Sequence, residues 1–243
     1  DLPKGFQITQ QFHPIGRNGY IEINTSAGKK KIRIERIHME EDTAKQFHLT
    51  KFSLLDFNRA GTPLIEIVSC PDMKTGEEAE AYVEALRQTL FYIGVSDCKM
   101  EEGSLRCDVN VNVKDMETGE KTAITEVKNL NSFRGVEKAI DFEVERHIKL
   151  LENHEDEIKT TRRWDDAKNE TILMRVKYTA NDYRFAPEGD LPIVHITDEE
   201  IKEVVDKMPE LPEQMIERFV EEYDITLEDA QVLTSSRELA KFF

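Results

Sequence analysis

The residues of this chain that could do chemistry come in short polar clusters. They are His38-Met39-Glu40-Glu41-Asp42, Asn58-Arg59, Glu66 within Leu64-Ile65-Glu66-Ile67-Val68, Met100-Glu101-Glu102-Gly103, the alternating set Arg106, Asp108, Asn110, and Glu126-Val127-Lys128-Asn129-Leu130-Asn131. Magnesium takes hard oxygen ligands, uses one or a few carboxylates, and completes its octahedral shell with water and substrate phosphates. A sheet face carrying Glu and Asp from separate strands is a way to build such a site. Glu66 is the most pointed case, because an ionised Glu among apolar neighbours is costly to bury unless a cation or a donor meets it. Alternation alone puts Glu66 on the wet face of an edge strand. Glu126 beside Lys128 also reads as a surface pair worth little. His38, with no second histidine at ligand spacing, reads as a core or rim histidine.

Neither Gly-x-x-x-x-Gly-Lys-Ser/Thr nor Gly-x-Gly-x-x-Gly occurs, so the common phosphate-cradling loops are missing. No Gly-x-Ser-x-Gly nucleophile elbow occurs either. If a nucleotide is used, its phosphates must be held by metal and by side chains. The cations available are Arg59, Arg106, Lys128, Arg162 and Arg184; Arg59, Arg106, Asn110 and Arg184 form the candidate nucleotide-binding set.

The elements that must position these groups follow from periodicity. Tyr20-Ile21-Glu22-Ile23 and 31–39 alternate with period two around Gly28, which predicts a hairpin, and 62–69 predicts a strand opened by Pro63. A Thr75/Glu78 capping box then opens a helix whose apolar residues Ala79, Tyr82, Val83, Leu86, Leu90 and Ile93 recur at helical spacing up to Gly94. Strands are predicted over 105–113 and 122–130. In the first, Arg106, Asp108 and Asn110 share a face; in the second, Glu126 and Lys128 do. A helix over 133–151 buries Val136, Ile140, Val144, Ile148 and Leu151. This order predicts an α+β fold with one antiparallel sheet covered by helices on one face, followed by a small all-α segment. That segment is opened by Thr197/Glu200 and Ser235/Glu238 capping boxes and by Pro212 at a first helical position. The boundary is placed near 195, with 1–194 as the α+β domain and 195–243 as the start of a helical one.

The chain has 243 residues, long enough for a sizeable core, and no apolar run approaches a bilayer span. Its start lacks a signal-peptide pattern, so it reads as cytoplasmic. Cys70, Cys98 and Cys107 are an odd set at wide spacing, which points to reduced thiols rather than a disulfide framework or a zinc knuckle. A net charge of −16 argues against an unaided grip on nucleic acid, apart from the short basic runs 29–33 and 159–163.

Several long strings, in order, are similar to the B subunit of the tRNA-dependent amidotransferases: 36–42, 56–69, 99–108 and 127–133, extended by Thr161-Arg162-Arg163, Leu173-Met174-Arg175 and Asp182-Tyr183-Arg184-Phe185. The archaeal E subunit shares part of this pattern, but its inserted domain is not evident. The resemblance implies a curved antiparallel sheet of the glutamine synthetase and guanidino kinase type. It also implies phosphorylation by ATP and magnesium of the side-chain carboxylate of Glu-tRNA(Gln) or Asp-tRNA(Asn). Amidation would follow, with ammonia from the glutaminase (amidase) A subunit of a heterotrimer whose third member is the small C subunit. The resemblance makes Glu41 and Glu66 the first expected metal ligands, with Asp108 and Glu126 next, and Glu41, Glu66 and Lys128 the catalytic candidates. The family normally begins with a strand bearing a Glu-Val-His motif and ends with a tail domain, and neither is in this sequence. The expectation is therefore that the chain alone does not carry out transamidation. Two other readings compete: a non-catalytic scaffold that docks the amidase partner, and a metal-dependent carboxylate-amine ligase acting on a small molecule.

Overall fold

The computed structural model of the chain describes residues 5–176 and 188–243. These form two compact units, one comprising 5–22, 29–73 and 188–195, the other 23–28, 74–176 and 196–243. No helix among the described residues is long and apolar enough to cross a membrane.

The first unit is built on a sheet of three strands in the order β1-β2-β5, with β1 at Gly16–Thr25, β2 at Gly28–Glu41 and β5 at Pro63–Ser69. β1 and β2 meet through Gly28, whose φ of +109° lies where only glycine is comfortable. β2 and β5 are antiparallel, pairing His38 with Glu66 and Glu40 with Leu64, and their register shifts between Ile34 and Arg36. Between them the chain makes an excursion bearing a hairpin of β3 (Lys45–His48) and β4 (Ser53–Asp56). This hairpin was not expected, because its strands are short and expose nearly every side chain, so no alternation of apolar and polar residues marks them.

The second unit carries a sheet of four strands in the order β6-β7-β8-β9, at Cys107–Val111, Thr125–Leu130, Thr160–Asp165 and Glu170–Val176. The single antiparallel sheet expected from the sequence is thus corrected in two respects. Three separate sheets form among the described residues, and β7 with β8 is a parallel pair. The parallel pairing has a simple cause: helix α2 (Phe133–Glu152) lies between those strands and returns the chain to the end where β7 began.

Helix α1 (Gly76–Tyr92) starts at Thr75, whose side chain accepts from the Glu78 N–H, and it packs on α2. Ser132 caps α2 in the same way through the Gly135 N–H at 3.0 Å. α2 covers one face of the sheet, where Val111, Val127, Leu130, Val136, Ala139 and Trp164 are buried. A polar network crosses that apolar layer. Glu143 and His147, each with no exposed surface, are joined by Arg146, Arg162, Thr125 and Thr171. Arg146 donates to Glu143 Oε2 at 2.8 Å and to Glu157 at 2.8 Å, and Arg162 Nε lies 3.2 Å from Glu143 Oε1. Thr171 Oγ1 donates to the same carboxylate, and Thr125 Oγ1 lies 3.0 Å from His147 Nε2.

Four helices end the chain: α3 (Asp198–Lys207), α4 (Pro212–Tyr223), α5 (Leu227–Thr234) and α6 (Arg237–Phe242). The Thr197/Glu200 capping box and Pro212 at the start of α4 stand where expected, whereas α6 is capped by Ser236 rather than Ser235. Phe219, Ala230 and Ala240 form a small core there, and Tyr92 of α1 donates to the Thr234 carbonyl at 2.7 Å.

Candidate metal and anion sites

In the first unit, a strand places residues two apart on one face, so His38 and Glu40 share a face of β2 and Glu66 lies directly across from His38 on β5. His38 Nε2 is 3.0 Å from Glu40 Oε1 and 2.9 Å from Glu66 Oε2, and the imidazole is wholly buried. Among the described residues these three form the group whose ligating atoms all lie within 4.8 Å of one another. Burial pushes the Glu66 carboxyl up, the neighbouring Glu40 charge adds to the rise, and His38 and Arg36 offset part of it. Two carboxylates converging on one buried nitrogen call for a neutralising positive charge, such as a divalent cation supplies. The donor set of one nitrogen and two carboxylate oxygens fits a hard or borderline divalent ion that keeps waters and phosphate oxygens in its remaining positions.

Glu41 stands elsewhere. Successive side chains alternate, so it leaves β2 on the face opposite Glu40, and its Oε1 accepts the Ile8 N–H at 3.0 Å. Glu40 instead receives Thr9 Oγ1 at 3.2 Å and Gln7 Nε2 at 3.3 Å. Arg59 lies in the turn before β5, its Nε 3.1 Å from Asp42 Oδ2. The two-residue spacing of His38 and Glu40 was the signal available in the sequence for this cluster.

In the second unit, the face of the four-stranded sheet opposite the one covered by α2 carries Asp108 and Asn110 on β6, Glu126 and Lys128 on β7, and Thr161 on β8. Asn110 pairs with Glu126 and Glu126 with Thr161. Lys128 Nζ donates to Asp108 Oδ2 and lies 3.5 Å from Glu126 Oε1, while Thr161 Oγ1 donates to Glu126 Oε2 at 3.0 Å. Burial works against the Lys128 ammonium, but the hydrogen bond and charge of Asp108, followed by those of Glu126, outweigh it and hold its pKa above the ordinary lysine value. Asp108 and Glu126 thus both reach the Lys128 ammonium. Arg106 falls just before β6, with its Nε directed to the Gly103 carbonyl at 3.4 Å. Arg184 lies outside the described residues. Thr161 escaped the sequence reading because only the parallel pairing of β7 and β8 brings it to Glu126.

The family described as the GatB/GatE catalytic domain matches residues 1–202. B subunits of aspartyl/glutamyl-tRNA(Asn/Gln) amidotransferases are similar along the whole chain: 50% identity in Clostridium novyi, 53% in Clostridium botulinum (strain 657) and 50% in Thermotoga sp. (strain RQ2). The chain spans about half the length of these curated relatives, 51%, 51% and 52% respectively. On a match covering most of its residues, the chain belongs to the GatB/GatE catalytic domain family.

Proposed function

We propose that the chain is the catalytic part of a tRNA-dependent amidotransferase subunit that activates the side-chain carboxylate of Glu-tRNA(Gln) or Asp-tRNA(Asn) with ATP and magnesium. The reading carries with it the glutamine synthetase-like sheet and a heterotrimer in which a glutaminase A subunit and a small C subunit are the companions. The chemistry is reasonable because a carboxylate is a poor acyl donor. Its oxygen attacks the γ-phosphorus, the bond to the β-phosphate oxygen breaks and ADP leaves. Ammonia then attacks the acyl carbon, phosphate departs and a proton is lost, leaving the amide.

The observation that supports this reading best is the convergence of His38, Glu40 and Glu66. These residues would hold magnesium, which when bound would neutralise phosphate oxygens as charge shifts during transfer. Glu40 takes the place that the resemblance gives to Glu41. In the same unit Arg59 is a further cation for phosphate oxygens, and on the sheet of the other unit Lys128 is kept charged by its ion pairs with Asp108 and Glu126. The scaffold reading draws on the same ion pair: if Lys128 permanently neutralises Asp108 and Glu126, those carboxylates are structural.

Calorimetric titration of magnesium-ATP into the chain tests the proposal. Binding that is lost in Glu40→Ala and Glu66→Ala, and kept in Glu41→Ala, is the expected result. Binding indifferent to Glu40 and Glu66, or none at all in a folded chain, would favour the scaffold.

A further inference from the structure

The hairpin of β3 and β4 presents an apolar stripe to solvent. Phe47 pairs with Leu54, and the Leu49 N–H donates to the Phe52 carbonyl at 2.9 Å. Strand alternation therefore puts Phe47, Leu49, Phe52 and Leu54 on one face. Their exposures are 43%, 50%, 59% and 52%. A two-stranded ribbon is marginal in water by itself, and a contiguous exposed apolar face marks a place where something binds.

Charge indicates what binds. Asp and Glu make up 49 of the 243 residues, yet none occurs from Thr43 to Leu55, where Lys45 and Lys51 interleave with the aromatics. Lys45 Nζ lies 4.9 Å from the centre of the Phe47 ring. Flat rings alternating with cations on exposed strands suit a partner that is itself flat, apolar and anionic, which describes unpaired nucleotides. The neck of the excursion is pinned, with the Asp42 N–H bonded to the Thr62 carbonyl and the Gly61 N–H to the Asp42 carbonyl, both at 2.9 Å. The hairpin thus leaves the sheet two residues after Glu40 and returns at the strand bearing Glu66.

We propose that this hairpin is a stacking platform for single-stranded RNA, with bases on Phe47 and Phe52 and phosphates beside Lys45 and Lys51. Resting on the function proposed above, its ligand is the unpaired 3′ end of the aminoacyl-tRNA. The net charge of −16 opposes any polyanion, so the platform works as a local exception and binds best at low salt.

The test is fluorescence anisotropy with a labelled single-stranded RNA hexamer and its duplex, using the chain, Phe47→Ala/Phe52→Ala, Phe47→Trp/Phe52→Trp and Lys45→Ala/Lys51→Ala. The single strand should bind in preference to the duplex. The alanine pair removes two stacks and should weaken it by about 30-fold or more, each base–aromatic stack counting for about 5-fold at the least, and the tryptophan pair should restore it. The lysine pair should flatten the salt dependence by roughly one to two counterions. Absence of single-strand binding, or affinity unchanged by the alanine pair, would overturn the proposal. RNA affinity that survives in the alanine pair while reconstitution with the companion proteins fails would reassign the surface to a protein. Magnesium-ATP titration of the same variants separates the two claims: the nucleotide reading can fail through Glu66→Ala while the platform stands, and the reverse.

Discussion

Glu143 has no exposed surface, so its charge survives only through its partners. Burial pushes the carboxyl up, but hydrogen bonds from His147, Arg146 and Thr171 outweigh it and bring the pKa down to about 2 from 4.5. A carboxyl depressed on folding contributes stability above its unfolded value and loses that contribution as pH falls through the folded one. Urea unfolding should therefore show stability declining as pH drops from about 4.5 toward 2, with the Glu143 share of that slope absent in Glu143→Gln. Identical acid limbs in the two proteins would mean that the network does not hold the charge. At neutral pH, Glu143→Ala should cost about 3–5 kcal/mol, because it removes a wholly buried carboxylate from the half-buried Arg162 and from Arg146, which keeps only Glu157 as a counter-ion. The same reasoning about single side chains explains why the first-unit cluster was only partly legible. Glu66 stood out as a carboxylate among apolar residues, but choosing between Glu40 and Glu41 depends on which face of β2 each occupies. The spacing from His38 settles that only once the segment is known to be extended at that point.

At the scale of elements, legibility followed periodicity and caps. α1 and α2 have long apolar stripes and capping side chains, and they lie within a residue or two of their expected ends. β6 and β7 came out shorter than their alternating patterns, since beyond Val111 the ladder reduces to a lone Lys114–Lys121 bridge. β8 and β9 could not be read, because the face they turn to the core mixes Trp164 with the polar Thr160, Arg162 and Thr171, the last two of which meet Glu143 from a distant helix. Gly76, by contrast, shows what a helix contact demands. A Cβ there would meet the Glu137 carbonyl oxygen at 2.6 Å and Asp141 Oδ1 at 2.7 Å. One of these atoms is backbone, so α1 and α2 would have to part. Gly76→Ala should destabilise the chain by about 1–3 kcal/mol in spite of alanine's better helix propensity. A urea midpoint at or above the wild-type value would show that the contact is loose.

Across the whole molecule, 33 basic against 49 acidic side chains create a self-repulsion that any salt relieves. Stabilisation by magnesium is thus ambiguous by itself, because screening and site binding both raise the melting temperature. They differ in what each requires. Screening depends on ionic strength and ignores the removal of one or two carboxylates from so many, whereas a site depends on His38, Glu40 and Glu66 being together. Melting curves in magnesium chloride and in sodium chloride at matched ionic strength should therefore diverge for the wild type. With magnesium at ten times its dissociation constant, the excess should be about 1.4 kcal/mol. In Glu40→Ala/Glu66→Ala the two salts should give coincident curves, with the sodium response unchanged. If the double variant keeps the excess, the cation binds outside this cluster; if the wild type shows none, the three side chains converge without forming a magnesium site.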